Sequence, residues 1–259
     1  MTGFGAPGGP LPPEATITYS DAGAGSSAAT LITQPEMFMG ATASNVPSTA
    51  VQSSLGLTQP VGLYLSAVPA DSPAGQAGLQ SGDDIVQING DAVTTDRGTF
   101  WSVYNKLAAG DPITLGVRRG QADVTLSLTK TDQPETLNDT SGVVYTGSGW
   151  GWRNSATGGG GSYLNDIWAT QHIGDTWSLT FNGTGIDIIS ETNTDEGNVD
   201  VTLDGKDYGT VSFVTSSRVY QSKVLSISGL SPGVHTITGT MESGQYMIVD
   251  AFTIYPFAA

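Results

Sequence analysis

The sequence predicts a mainly β protein with two structural units, a small α+β unit followed by an antiparallel β-sandwich. Its 259 residues are enough for roughly two domains of about 150 residues each. Glycine accounts for 35 of these residues, close to twice its usual share of about 7%, which favours short strands and tight turns. Short alternating runs between Val143 and Tyr255 recur about every 8–12 residues, as in an all-β sandwich. A helix bundle is therefore excluded.

The charge and composition of the chain restrict the classes of partner and site that it can have. The chain carries 24 acidic and 9 basic residues, for a net charge of -15. A surface this negative repels nucleic-acid phosphates and anionic lipids, so we expect no nucleic-acid partner and no membrane insertion. No apolar run is long enough for a transmembrane helix, which needs about 18 residues. The absence of cysteine excludes disulfides and thiolate zinc sites.

Changes in residue composition along the chain predict its domain organisation. Residues 1–36 form a Gly/Pro-rich arm with one candidate strand at Ala15–Ser20. We assign residues 37–130 to the first compact unit and the polar segment 131–142 to a linker. The sandwich then covers residues 143–255, and the tail is 256–259.

The location is expected to be outside a bacterial cell. Few lysines with abundant Thr, Asn and Gly are typical of extracellular bacterial surfaces. No Lys or Arg precedes Arg97, so the start of the sequence lacks the basic region of a signal peptide. We expect either that a leader has been removed or that export is directed from upstream.

The first unit has clear turn and helix signals. Val61–Val68 is apolar enough for a buried strand, and Ser72-Pro73-Ala74 begins a one-turn helix that ends at Gly78. Asn89-Gly90 predicts a turn with positive φ. Thr94 or Thr95 is expected to cap a helix over 96–108 that places Phe100, Val103, Tyr104 and Leu107 on one face. Two strands, 113–118 and 123–128, complete the unit.

These residues resemble a PDZ domain of the type found in secreted bacterial serine proteases of the high-temperature-requirement class. The likeness is carried by SPAGQAGLQSGDDIVQINGDAV (72–93) and is supported by ITLGVRRG (113–120). It covers about 90 residues in a linear order, because 40–57 precede the VGLYL strand.

The resemblance implies that an extended peptide is added as a strand beside the long helix, with its terminal carboxylate held by backbone N–H groups. The implied carboxylate loop is Gln59–Leu63, where Pro60 cannot donate, so the N–H groups of Gly62 and Leu63 are the expected donors. Helix side chains would form the apolar pocket wall, although each could equally be a core residue. The implied peptide-binding residues are Val61, Gly62, Leu63, Tyr64, Leu65, Phe100 and Tyr104.

The second unit resembles the galactose-binding-like jelly-roll modules that accompany bacterial glycoside hydrolases, on runs such as YTGSGWGW (145–152), GDTWSLTFNGTGIDII (174–189) and VDAFTIY (249–255). Sugar rings stack on aromatic faces while amides and carboxylates bond the hydroxyls. Trp150 and Trp152 would share one face of a strand, and polar residues surround the Gly-rich loop beside it. The candidate carbohydrate-binding residues are Trp150, Trp152, Arg153, Tyr163, Asn165, Asp166 and Trp168; the alternative is that the tryptophans are core residues.

Neither a cofactor nor a catalytic site is predicted. Related modules bind calcium near a strand end, and Asp195, Glu196, Asp200 and Asp250 could supply oxygens, but no spaced calcium loop is visible. The chain has two histidines, of which His235 lies in a strand pattern that makes it structural. No serine shows a nucleophile elbow or an obvious histidine partner.

Three functional hypotheses follow. The first is a non-catalytic extracellular binding protein that combines a groove for protein C-termini with a glycan-binding jelly roll. The second is a self-assembling surface or filament protein, in which the Pro256-Phe257-Ala258-Ala259 tail or the N-terminal arm of one subunit docks in the next. The third is the non-catalytic portion of a larger secreted protease or glycoside hydrolase.

Overall fold

A computed structural model describes residues 33–257 of the chain. The predicted strand at Ala15–Ser20 and the last two residues of the tail lie outside the described residues. Within them the protein is mainly β, with one sheet in the first unit and two in the second. The predicted fold class, an α+β unit followed by a β-sandwich, is confirmed.

The first unit is a seven-stranded antiparallel sheet with three short helices. The sheet order is β1-β2-β3-β4-β6-β7, and β5 pairs with β4. Its elements are β1 (Pro35–Phe38), β2 (Ala41–Ser44), α1 (Thr49–Ser54), β3 (Leu63–Ala67), α2 (Pro73–Gln76), β4 (Asp83–Ile88), β5 (Asp91–Ala92), α3 (Gly98–Tyr104), β6 (Pro112–Arg119) and β7 (Ala122–Thr129).

Local chemistry explains the helix starts. The Ser72 hydroxyl caps α2 by accepting from Gly75 N at 3.0 Å. Helix α3 is shorter than predicted and begins after Arg97, which adopts φ +61 and gives no side-chain cap. Thr94 is not the N-cap residue of α3, although its hydroxyl, which donates to the Asp96 carboxylate at 2.6 Å, also accepts from Thr99 N in the first turn at 3.4 Å. None of the helices in residues 33–257 is long and apolar enough to cross a membrane.

The second unit is a sandwich of two antiparallel sheets. The larger has the order β14-β13-β15-β12-β17-β8 with β9 paired to β12, and the smaller is β10-β11-β16. Its strands are β8 (Glu135–Asn138), β9 (Val144–Thr146), β10 (Gly151–Asn154), β11 (Asp166–Thr170), β12 (Thr176–Thr192), β13 (Asn198–Leu203), β14 (Lys206–Ser212), β15 (Val219–Ser243), β16 (Met247–Val249) and β17 (Ala251–Tyr255), with a one-turn 3-10 helix at Tyr163–Asn165. Alternation along β12 points Trp177, Leu179 and Phe181 into the core.

The two units pack directly against each other. Residues 135–138, inside the segment predicted to be a linker, form β8 and pair with β17 in the sandwich. The backbone N–H of Asn182 donates to Asn105 O at 2.7 Å, and its side chain donates to Lys106 O at 2.9 Å. The prediction of a linker is therefore wrong for 135–138, because that segment completes a sheet edge.

Candidate functional site

The strand predicted to receive a peptide, β3, lies inside its sheet. One edge pairs with β2, where Leu65 faces Ala43, and the other pairs with β4, where Leu63 faces Ile85. Strand addition requires a free edge with unpaired N–H and C=O groups. The assignment of Tyr64 and Leu65 to the peptide-pairing strand is therefore wrong.

The predicted carboxylate loop also lacks the required chemistry. The Val61 N–H already donates to Gln59 O at 2.9 Å. The carboxyl group of Asp84 packs against Gly62, so closely that it occupies the space a Cβ atom would need there. Burial raises the pKa of Asp84 to about 7. A terminal carboxylate arriving at Gly62 would meet this buried acidic group, so the surroundings of Gly62 disfavour the predicted anion binding.

The helix side of the predicted groove does form an apolar pocket. The Phe100 and Tyr104 rings stack at 5.8 Å between centroids and are both buried. The Phe38 ring fills the space against them, with its centroid 5.2 Å from each ring in edge-to-face geometry. The sequence analysis did not include Phe38 among the pocket residues, although it lies two residues before Gly40 and therefore beside a turn.

Phe38 belongs to β1, which pairs with the outer edge of β2. Their register places Glu36 opposite Ala43, and a two-residue turn joins them, with Met39 at φ +48 and Gly40 at φ +81. Glu36 is fully buried and accepts a 3.0 Å ion-pair hydrogen bond from Arg97 Nε. The groove between β2 and α3 is thus filled by the preceding segment of the same chain.

In the sandwich, the predicted sugar platform at Trp150 is a core residue. It is 7% exposed, and its Nε1–H donates to Thr146 O at 3.2 Å. Tyr145 lies between two tryptophans, with its ring 4.7 Å from Trp150 and stacked at 4.7 Å on Trp168. Trp150 has no open face for a sugar ring, so its assignment to a carbohydrate site is wrong.

Trp152 connects the smaller sheet to buried polar groups. It lies opposite Trp168 in the β10–β11 register, and its Nε1–H donates to Asp166 Oδ2 at 2.8 Å. Asp166 is 1% exposed and also accepts from Asn138 Nδ2 at 3.1 Å. Burial raises its pKa to about 6, although both hydrogen bonds oppose the rise. Asp166 therefore has a structural part in orienting Trp152.

The Gly-rich loop lies at one end of the sandwich, where it contacts a residue that the sequence analysis missed. A Cβ at Gly161 would lie 2.8 Å from the Tyr220 ring, and Gln221 Nε2 donates to Gly161 O at 3.0 Å. The Tyr220 residue is 39% exposed, and the Arg218 guanidinium lies 5.8 Å from its ring centroid. No spacing signal links 218–221 to this loop, because the contact joins strands far apart in sequence.

Among the predicted polar residues of this region, Asn165 contacts the Gly-rich loop near Tyr220, whereas the side chains of Arg153 and Tyr163 bond elsewhere. Asn165 is exposed, and its Oδ1 accepts from Gly161 N at 3.4 Å. The Arg153 guanidinium donates to Trp152 O at 3.0 Å, and Tyr163 donates its hydroxyl to Thr136 O at 3.4 Å. We call Gly161, Asn165, Arg218 and Tyr220 the loop end.

Among the acidic residues considered for calcium, Glu196 and Asp250 both interact with Glu191, and Glu196 also interacts with Asp195, whereas Asp200 bonds elsewhere. Asp200 accepts from the Thr210 hydroxyl at 2.5 Å on the larger sheet, whereas Asp250 accepts from Tyr163 N at 2.8 Å. Burial together with neighbouring Glu191 and Asp195 raises the pKa of Glu196 to about 8. In the part of the chain that the structure describes, no group of three or more His, Cys, Asp or Glu residues is arranged to hold a metal ion.

One serine does approach a histidine. Ser148 Oγ lies 3.3 Å from His172 Nδ1, a pairing that the sequence analysis did not foresee. The neighbouring Asp175 carboxylate instead accepts from the Thr170 hydroxyl at 2.6 Å and from Gly149 N at 2.9 Å. A Ser-His-Asp triad needs the carboxylate on the histidine ring, so this arrangement does not supply one.

Comparison with known proteins agrees with the two-unit architecture. Residues 38–129 match the PDZ domain family. The serine protease Do-like HtrB of Bacillus subtilis (strain 168) is 38% identical over 95 residues, which are 36% of this chain and 21% of that protein. The chain thus spans about a fifth of the curated relative that it matches.

Two solved structures are similar to parts of the chain. The HtrA3 PDZ domain bound to a phage-derived ligand is 26% identical, covers 38% of this chain and 86% of its own, and has a TM-score of 0.29. The CBM36-1 domain of a xylanase from the hindgut metagenome of Trinervitermes trinervoides is 20% identical, covers 49% of this chain and 100% of its own, and has a TM-score of 0.36. Residues 38–129 are a PDZ domain, and the unit that follows it is a β-sandwich.

Proposed function

We propose that this chain is a non-catalytic, extracellular bacterial binding protein whose sandwich holds a carbohydrate at the loop end. The observation that carries the proposal is the position of Tyr220, an exposed ring seated on Gly161 of the Gly-rich loop. A glycine at this position lets the loop backbone approach the ring closely, which keeps one side of the ring against protein and leaves the rest accessible.

The surroundings of Tyr220 support a sugar ligand. Arg218 near the ring and exposed Asn165 across the loop supply donors and an amide. An aromatic face beside a few convergent polar groups is the usual composition of a small-ligand site. Among the predicted sugar-binding residues, Asn165 would contribute from the loop, whereas Trp152 and Asp166 bond each other in the smaller sheet.

A glycan array on three full-length proteins tests the proposal. Tyr220→Ala should weaken binding of the best glycan at least about tenfold relative to the wild type, a loss of about 1.4 kcal/mol. Tyr208→Ala is the matched control, because Tyr208 is also 39% exposed and also has a cation near its ring, Lys206 at 5.4 Å. Tyr208 lies on β14, away from the Gly-rich loop.

The two substitutions separate a site from a general surface effect. Equal loss of binding in both variants, or no glycan bound by the wild type, would contradict the proposal. Melting curves of both variants should match the wild type, because the rings are exposed and their removal costs little stability.

A further inference from the structure

We propose that Gln221 is a positioning residue of the loop end, which fixes Tyr220 and the Gly-rich loop against each other so that they form one rigid surface for a sugar. This inference rests on the proposed function, because it concerns the same site. It is carried by a β-bulge in β15 and by two adjacent side chains that contact a single glycine.

Strand β15 holds an extra residue where it approaches the Gly-rich loop. The register of β12 with β15 shifts between Ser190 and Thr192. Within this shift, the single β12 residue Glu191 faces two residues of β15, Tyr220 and Gln221. This two-against-one arrangement is a β-bulge, which bends a strand and redirects its side chains.

Gln221 has the unusual backbone conformation of the bulge. Its φ is +51, in the left-handed region that residues other than glycine seldom adopt. A conformation of this kind costs free energy and persists only where surrounding contacts hold it in place. One such contact comes from the side chain of Gln221 itself, whose Nε2 donates to Gly161 O at 3.0 Å.

Two adjacent side chains of β15 contact the same loop residue. Besides the hydrogen bond from Gln221, Gly161 meets the Tyr220 ring, three of whose carbons would lie 2.8–2.9 Å from a Cβ atom on that glycine. Adjacent side chains of a regular strand point to opposite faces. The bulge interrupts this alternation, so both side chains reach Gly161.

Gly161 is therefore held on three sides. Its carbonyl accepts from Gln221, its N–H donates to Asn165 Oδ1 at 3.4 Å, and its Cα lies against the Tyr220 ring. A binding surface that is already ordered loses less conformational freedom when a ligand arrives, and it therefore binds more tightly. Because Gln221 is exposed, we expect its amide to affect sugar affinity more than the stability of the fold.

Two substitutions at position 221 test the amide donor in the full-length chain. Gln221→Met keeps a side chain of similar length but has no N–H to donate, whereas Gln221→Lys can donate to Gly161 O through Nζ. With the best glycan of the array, surface plasmon resonance should show affinity about three- to tenfold weaker for Gln221→Met. Gln221→Lys should recover most of this loss.

Gln87→Met is the matched control for the loss of a glutamine amide. Gln87 is also exposed, and its Nε2 also donates to a glycine carbonyl, Gly90 O at 3.1 Å, but it lies in the PDZ domain. This variant should bind the glycan like the wild type. Melting curves of Gln221→Met and Gln87→Met should both match the wild type.

NMR gives a readout of positioning that needs no ligand. A Cβ at Gly161 would lie over the Tyr220 ring, so one α proton of this glycine points at the ring and its resonance should be shifted upfield by the ring current. Tyr220→Ala should remove this shift. Gln221→Met should reduce the shift, and Gln221→Lys should restore it.

The combined measurements separate failure of this inference from failure of the proposed function. If Tyr220→Ala loses glycan binding but Gln221→Met keeps both its affinity and the Gly161 shift, the positioning role is overturned and the carbohydrate site stands. Weaker binding by Gln221→Met with an unchanged Gly161 shift would also overturn it, because Gln221 would then contact the sugar directly. A wild type that binds no glycan would overturn the carbohydrate site, and this inference with it.

Discussion

The hydroxyl of Tyr104 donates a 2.7 Å hydrogen bond to Oε1 of Glu135, and this contact joins the groove helix α3 to strand β8 of the sandwich. Lys130 forms an ion pair with the other carboxylate oxygen, and its ammonium lies 3.3 Å from the Tyr104 ring centroid. The same ring forms part of the pocket for Phe38. Tyr104 therefore contacts both Phe38 in the groove and Glu135 of the sandwich.

Tyr104→Phe should reduce the free energy of unfolding by about 1–2 kcal/mol, because the bond to the charged Glu135 is lost while the ring stays packed. Urea denaturation measures this change. Tyr64→Phe is the control, since Tyr64 is partly exposed on β3, and it should stay within about 0.5 kcal/mol of the wild type. Equal effects of the two substitutions would show that the Glu135 bond contributes nothing.

Asp83 and Asp84 are adjacent in the sequence, and we expect their replacement by asparagine to change the free energy of unfolding in opposite directions. Asp83 accepts two hydrogen bonds from Arg119, at 2.8 and 2.7 Å, whereas Asp84 finds no hydrogen-bond partner for either oxygen within residues 33–257. At pH 8, Asp83→Asn should lower the free energy of unfolding by about 2 kcal/mol, and Asp84→Asn should raise it by about 1–3 kcal/mol. Denaturant unfolding of both variants measures these changes.

The stability difference between Asp84→Asn and the wild type should depend on pH, because it reflects the charge on Asp84. Burial raises the folded pKa of Asp84 from 3.8 to about 7, so the folded state binds more protons than the unfolded state between these values. Stability of the wild type therefore falls as pH rises from about 4 to about 7 through this group. The advantage of Asp84→Asn should be near zero at pH 4 and reach its full size above pH 7. A constant advantage at all pH values would contradict this account.

His235 should be protonated more readily than an ordinary histidine. Burial lowers its pKa, but hydrogen bonds from the ring to Asp204, at 2.6 Å, and to Ser231 O, at 2.8 Å, together raise the pKa above its usual value. Both partners accept, so both ring nitrogens must carry protons. The resulting stability is fully present below the unfolded pKa of about 6.5 and is lost as pH rises through the higher folded pKa.

NMR titration of the ring protons tests this expectation. Asp204→Asn should lower the pKa of His235 and flatten its contribution to the pH dependence of unfolding. A pKa of His235 at or below about 6.5 in the wild type would contradict the assignment.

The fold could be predicted from local signals because each depends on nearby residues. Ser72-Pro73 starts α2 as expected, and Asn89-Gly90 makes the expected turn at φ +49 and φ +94. The alternating runs between Val143 and Tyr255 correctly predicted strands such as β12, along which Trp177 is buried. The sequence analysis failed at 135–138, because pairing of β8 with β17 joins residues more than a hundred positions apart.

The candidate binding residues could be predicted only in part, for the same reason. Helix periodicity correctly placed Phe100 and Tyr104 on one face, but it could not show that Phe38 fills the pocket beside them. The position of a free edge depends on the order of all strands in the sheet. The sequence analysis therefore assigned peptide pairing to β3, which lies inside the sheet. Tyr220 reaches the Gly-rich loop through β15, and no local pattern records that contact.

Trp150 and Tyr220 contrast a core aromatic residue with the aromatic residue proposed to bind a sugar. Trp150 is 7% exposed and packs on Tyr145, so Trp150→Ala should reduce the free energy of unfolding by about 3–5 kcal/mol. Tyr220→Ala should change it by less than about 0.5 kcal/mol, because the ring is partly exposed. Urea denaturation of both variants, followed by glycan binding at a temperature where both remain folded, separates the two effects. If Trp150→Ala left stability unchanged but abolished glycan binding, the ring would be a sugar platform and its assignment to the core would be wrong.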